Sequence, residues 1–208
     1  MGTTGKVWFL VIMLIGPALA QSRLMEPVPA ATGPAYDLST GYTSLAMPFP
    51  GAGQVQFNGL DASGSIEWSP RWGATVDTNY FRASDVLGTS HRAYMLNTQC
   101  GPEFYPFEHS HTRFFVRGLV GSALIDGAVP SADKTGVYHG WLVRPSFTVG
   151  AGFEQAVSRQ FAMRINGDYL RTSFYDATGA VLPQNSLRLS VSVVYRMKKI
   201  GERVATAW

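Results

Sequence analysis

Between Tyr36 and Met197 the chain alternates between apolar and polar residues with a period of two, in segments of about ten residues, the length at which a tilted strand crosses a bilayer. A period of two puts successive side chains on opposite faces of an extended strand, so the fold class is all-β. Tyr36, Leu38, Thr40, Tyr42 and Ser44 share one face, and Asp37, Ser39, Gly41 and Thr43 the other. Leu60, Ala62, Gly64, Ile66 and Trp68 alternate with Asp61, Ser63, Ser65 and Glu67; Trp72, Ala74, Val76, Thr78 and Tyr80 alternate with Gly73, Thr75, Asp77 and Asn79. Five more segments follow, centred near Thr98, Gly118, Gly150, Asn166 and Val191. In the last, Leu187, Leu189, Val191, Val193 and Tyr195 oppose Arg188, Ser190, Ser192 and Arg196. Eight is an even count and the smallest found in membrane barrels.

The connections alternate in length. Met47 to Phe57, Ala83 to His91, Asp126 to Trp141 and Phe174 to Gln184 read as long; Ser69-Pro70-Arg71, Tyr105 to Ser110 and Gln155 to Arg159 read as short turns. Short turns on one rim, with both termini, and long loops on the other is the arrangement of an outer-membrane barrel. At the N-terminus, one positive charge at Lys6, a nine-residue apolar core from Val7 to Ile15 and Ala18-Leu19-Ala20 read as a signal peptide over residues 1–20. Nine helical residues are too short to span a bilayer. Residues 21–34, with Pro27, Pro29 and Pro34, read as a periplasmic lead-in, residues 35–197 as the barrel and residues 198–208 as a C-terminal tail.

Alternation alone leaves open which face is inside, since a soluble lipocalin-like barrel binding an apolar ligand would turn its apolar face inward. Composition weighs on the choice. Only 15% of residues are charged, against about 25% in an average soluble domain. The four lysines, Lys6, Lys134, Lys198 and Lys199, all lie outside the alternating segments, where a water-facing sheet would use lysine to protect itself. Five Trp, nine Tyr and twelve Phe exclude disorder. Tyr36, Trp68, Trp72, Tyr80, Tyr94, Tyr169 and Tyr195 sit near segment ends, as interface girdles do. A net charge of +3 with no basic run longer than Lys198-Lys199 lacks the footprint of a nucleic-acid binder. Cys100 is the single cysteine, so an intramolecular disulfide and a multi-cysteine metal site are excluded.

Residues Arg164 to Thr172, followed by Asn185 to Ser190, resemble the last hairpin of the OmpA-like and OmpX-like eight-stranded outer-membrane β-barrels, and Gly101-Pro102 and Gly150 to Phe153 fit the same pattern. The resemblance covers Tyr36 to Met197. It implies an antiparallel up-and-down transmembrane barrel in the outer membrane, with membrane lipid and the barrel-assembly machinery as partners and a monomeric state. Two departures stand out. The family ends on a terminal aromatic, whereas this chain continues from Lys198 to Trp208, and, with nothing in these residues resembling the peptidoglycan-binding domain of full-length OmpA, no cell-wall tether is expected.

The polar face carries Asp61, Glu67, Asp77, Glu103, Arg113, Arg117, Glu154, Arg164, Asp168, Arg188 and Arg196, six acids and five arginines. An eight-stranded barrel is only wide enough for side chains to fill it, so these residues are expected to form a charge-cancelling plug; a gated ion path is the alternative. His109-Ser110-His111 in a turn cannot complete a four-ligand metal site, and no cofactor is expected. Lipid A deacylases of this fold resemble a His-x-Ser pair, and the chain contains none. The expected role is non-catalytic: envelope structure, surface interaction through loops such as Asp126 to Trp141, or marginal solute passage. A lipid-modifying enzyme is the further alternative.

Overall fold

The computed structural model describes residues 34–197, apart from 50–52, 87–90, 110, 128, 131–136, 139–140 and 176–180. The signal peptide, most of the lead-in and the tail expected from the sequence lie outside the described residues. Ten strands are present: β1 (Ala35–Phe49), β2 (Gly53–Glu67), β3 (Trp72–Ala83), β4 (Ala93–His109), β5 (Thr112–Gly127), β6 (Val129–Pro130), β7 (Val137–Tyr138), β8 (Leu142–Ala156), β9 (Phe161–Tyr175) and β10 (Val181–Met197). Eight close into an antiparallel barrel in the order β1-β10-β9-β8-β5-β4-β3-β2, and β6 and β7 form a separate two-stranded ribbon within the β5 to β8 connection. Closure pairs β1 with β10 from Tyr36↔Met197 to Ala46↔Leu187. No backbone edge of the barrel wall is left open, which is what permits a sheet to stand in lipid.

The eight wall strands are 12 to 17 residues long, longer than the segments read from the sequence. The connection expected from Met47 to Phe57 is consequently short, since β1 runs to Phe49 and β2 resumes at Gly53, whose φ of 112° is open to glycine. The turn expected from Tyr105 to Ser110 is shorter too. β4 continues to His109 through a register shift between Phe104 and Phe107, and the Tyr105 amide donates to the Arg71 carbonyl at 2.9 Å, which ties this stretch to the neighbouring turn. The turn expected from Gln155 to Arg159 spans 157–160, closed by the Val157 and Ser158 amides on the Phe161 carbonyl.

The strands are long because the alternation changes sign along them. In the half nearer the chain termini the outward positions are apolar and exposed, among them Leu38, Val76, Val116, Val149, Leu189 and Val193, while the inward positions are mostly polar, with Phe115, Leu119, Ala162 and Val194 buried among them. In the third nearer the loops, Leu45, Met47, Val55, Phe57, Phe81, Ala83, Ala93, Met95, Ala123, Ile125, Leu170 and Phe174 turn inward and form one buried cluster. There the outward positions become Ser44, Gln54, Gln56, Asn58, Arg82, Arg92, Arg171 and Asn185. Strand β8 departs from this pattern, since Val143 and neighbouring Trp141 remain exposed and apolar. The lumen is therefore filled by two materials, ionic below and hydrocarbon above, and the charge-paired filling expected from the sequence occupies only the terminus side and the middle.

Candidate functional site: the filled lumen

All eleven ionisable residues singled out in the sequence face the lumen, and the structure gathers ten of them into two ion-paired groups. The group nearer the termini is built on Glu154, whose carboxylate takes Arg164 on one oxygen and, at 3.1 Å, Arg196 on the other. Arg164 also lies 3.6 Å from Glu103, and Arg113 makes a two-pronged pair with Glu67. Antiparallel register creates this geometry: Glu154 stands opposite both Arg113 on β5 and Arg164 on β9. Arg164 and Glu154 are among the most deeply buried side chains. In such a place an ion pair persists only because each partner's desolvation is answered by the other.

The second group lies closer to the middle. Asp168 accepts Nε and Nη2 of Arg117 at 3.0 and 2.8 Å, Nε of Arg188 at 2.8 Å and the Asn166 amide at 2.7 Å. Arg188 Nη2 reaches across to Asp77 at 2.8 Å, and Arg117 stands 3.5 Å from the same carboxylate. A β-carbon on Gly150, directly opposite Asp168 in the β8 to β9 pairing, would fall 1.8 Å from Asp168 Oδ1, so glycine there makes room for the carboxylate. Above this group, Thr148 donates to Gln99, Gln99 to Ser146 and Ser146 to Asn97, at 2.7 to 2.9 Å, bridging to the apolar cluster.

Asp61 is the sequence-identified acid with no ion pair among the described residues, and its Oδ1 has no hydrogen-bond partner. Two lumen residues escaped the sequence reading. Asp37, buried and facing the charges of Glu67, Glu154, Arg196 and Arg113, stood on the polar face but was not counted, so the acids number seven. Tyr105, assigned to a turn, instead points inward, donates to Glu103 at 2.9 Å and lies flat under Arg113 at 3.7 Å. Inward parity, two residues beyond Glu103, was the available signal.

The seven aromatics read as girdle residues fall into two outward-facing tiers. Tyr36, Trp68, Trp72 and Tyr195 lie at the terminus rim, joined by Phe104 tilted against Trp72 and Phe161 against Tyr195. Tyr80, Tyr94 and Tyr169 lie at the level where the alternation inverts, with Tyr80 and Tyr94 stacked at 6.3 Å. Just above, Tyr42 and Ser44 both donate to Asn58, and Arg82 lies over Tyr94. His109 and His111 flank the β4 to β5 turn, and no group of three metal-ligating side chains occurs among the described residues.

No protein-family model and no curated protein sequence matches the chain. Among solved structures it is similar to Neisserial surface protein A, with a TM-score of 0.62 and 11% identity over 79% of this chain and 99% of that one. It is similar also to Ail, the attachment invasion locus protein of Yersinia pestis, with a TM-score of 0.56 and 15% identity over 79% and 99%. A second Ail structure, in complex with the heparin analogue sucrose octasulfate, matches with a TM-score of 0.54. At such identities the likeness is one of fold: the chain has the architecture of the eight-stranded outer-membrane β-barrels.

Proposed function

We propose that this protein is a monomeric, non-conducting and non-catalytic barrel of the outer membrane, whose loop-side third stands outside the bilayer as a rigid base for surface contacts. The observation that carries this reading is the inversion of the wall. An apolar exterior bounded by two aromatic tiers suits hydrocarbon, and a polar exterior over an apolar interior suits water. Lipid would meet Leu38, Val76, Val149 and Leu189, while Gln54, Gln56, Arg82 and Arg171 would meet the aqueous face. The barrel-assembly machinery follows as a partner in biogenesis. A lumen closed by two ion-paired groups and a hydrocarbon plug supports an envelope-structural or surface-interaction role over solute passage.

Mobility of the membrane fraction in SDS gels, boiled against unboiled, tests the location, because a closed membrane barrel resists SDS until heated. A heat-dependent shift together with a requirement for detergent in extraction is the expected result. Recovery in the soluble fraction without a shift would refute it and favour a lipocalin-like binder. Liposomes carrying the folded protein should not swell in small sugars, and membranes containing it should release no fatty acid from their own lipids.

A further inference from the structure

We infer that the outer wall holds one glycerophospholipid of the terminus-side leaflet, with an acyl chain lying in a groove over β1 to β4 and its phosphate at Arg71. The inference rests on the outer-membrane reading above, since the groove opens onto the face assigned there to hydrocarbon. It has a volume of about 700 Å³, within the range of small-molecule sites. Strand register produces it. Gly64 stands between Leu38 and Val76, and Ala74 between Ile66 and Pro102, so two adjacent outward rows each drop to a small residue between larger neighbours. A β-carbon on Gly64 would meet only the tip of Leu38, at 3.5 Å, so the floor there is open.

The extent of the groove suits one leaflet. Tyr36, Trp68 and Met197 place its mouth at the terminus rim. Its far end is at Cys100 on β4, opposite Val76, which lies midway between Trp72 and Tyr80 of the two aromatic tiers. The groove therefore runs from one interface to the middle of the apolar exterior, the depth of one acyl chain in a hydrocarbon core about 30 Å thick. A hollow lined by Leu38, Ile66, Val76 and Pro102 offers water no partners, and left empty it would forfeit dispersion contacts along its lining.

Any acyl chain could fill the hollow; what selects a phospholipid is the charge at its mouth. Arg71 lies exposed in the turn that joins Trp68 to Trp72, whereas Arg113, Arg164 and Arg196 are committed to lumen carboxylates. The turn is well held. Ser69 Oγ accepts from the Arg71 and Trp72 amides at 3.3 and 3.0 Å, and the Arg71 carbonyl accepts from Tyr105 at 2.9 Å. A guanidinium carried on a fixed turn at the level of an aromatic tier, where headgroups lie, is complementary to a phosphodiester.

The test reconstitutes the full barrel into vesicles of palmitoyl-oleoyl phosphatidylglycerol, extracts it in mild detergent and weighs the intact complex by native mass spectrometry. A barrel that carries one phospholipid through extraction is the expected result. Gly64→Leu, which fills the floor, should lose it, and Ala74→Leu serves the same end if the first variant folds poorly. Gly167→Leu is the matched control, since a β-carbon there meets only the tip of Leu189, at 3.6 Å, on a face away from the groove, and it should keep the lipid. Arg71→Gln should retain about two- to five-fold less, the worth of one exposed ion pair. A barrel that shows the heat-dependent gel shift but carries no phospholipid overturns the inference and leaves the membrane reading standing; a barrel without the shift overturns both. An adduct that survives both Gly64→Leu and Ala74→Leu overturns it by placing the lipid elsewhere. Palmitic acid retained as well as the phospholipid from a mixture removes the phosphate from the site, and a dimer in place of the lipid adduct would mean that a second copy covers the groove; either result overturns it too.

Discussion

Asp168 shows how tightly single residues are set in this lumen. One carboxylate accepts hydrogen bonds from Arg117, Arg188 and Asn166, so Asp168→Ala leaves two buried guanidinium groups to share the single carboxylate of Asp77. Breaking a buried pair by removing one partner costs about 3–5 kcal/mol, and the urea midpoint of the folded barrel should fall accordingly. Gly150→Ala should act on the same carboxylate from the neighbouring strand inside the lumen, by displacing it. Its β-carbon has no room, so a loss of about 1–3 kcal/mol is expected, measurable in the same titration. Gly118, where a β-carbon meets nothing within 4 Å, is the matched control, and Gly118→Ala should leave the midpoint nearly unchanged.

At the scale of the strand, the inversion makes the tolerance to charge depend on height. Val76, outward and midway between Trp72 and Tyr80, faces the apolar belt, whereas Ser44 lies above Tyr42 in the polar collar. Val76→Arg should cost about 2–4 kcal/mol and Ser44→Arg about 0–1, the difference being read in folding titrations into lipid vesicles. The same strands show what was legible in the sequence. Alternation, strand count and the parity of all eleven ionisable residues follow from a period of two, which local residue chemistry prints directly. The inversion was also printed, in Gln54, Gln56 and Asn58 against Val55 and Phe57, just before Leu60 and Ala62 take over the same outward face. It was missed because strands were begun where the apolar residues first lined up outward, and so the polar stretches beyond them were read as loop. Which carboxylate meets which arginine was not legible, since Arg188 and Asp77 are partners across the barrel, 111 positions apart, and only closure brings them together.

At the scale of the whole molecule, a length of barrel with an apolar exterior and an ion-paired interior is joined end to end, in one continuous wall, to a length with a polar exterior and an apolar interior. Truncating Phe57 or Phe81 to alanine should therefore behave as a core mutation in a soluble protein, costing about 3–5 kcal/mol, with the unboiled SDS-resistant band retained at low temperature. The two share one cluster, so the double variant should depart from additivity.

The exchange of character at a single height also acts like the waterline of a hull. Raising the wall by one outward step would lift Tyr42, Leu60 and Tyr80 into water, and lowering it would drag Asn58, Arg82 and Arg171 into hydrocarbon. On the proposed reading either displacement is opposed on the strands that carry the inversion, β8 excepted, so the barrel has one preferred draught. In the membrane proposed for it, the loops would ride at a set height over the surface, and lipid of another thickness would have to deform, or the barrel tilt, to meet the wall.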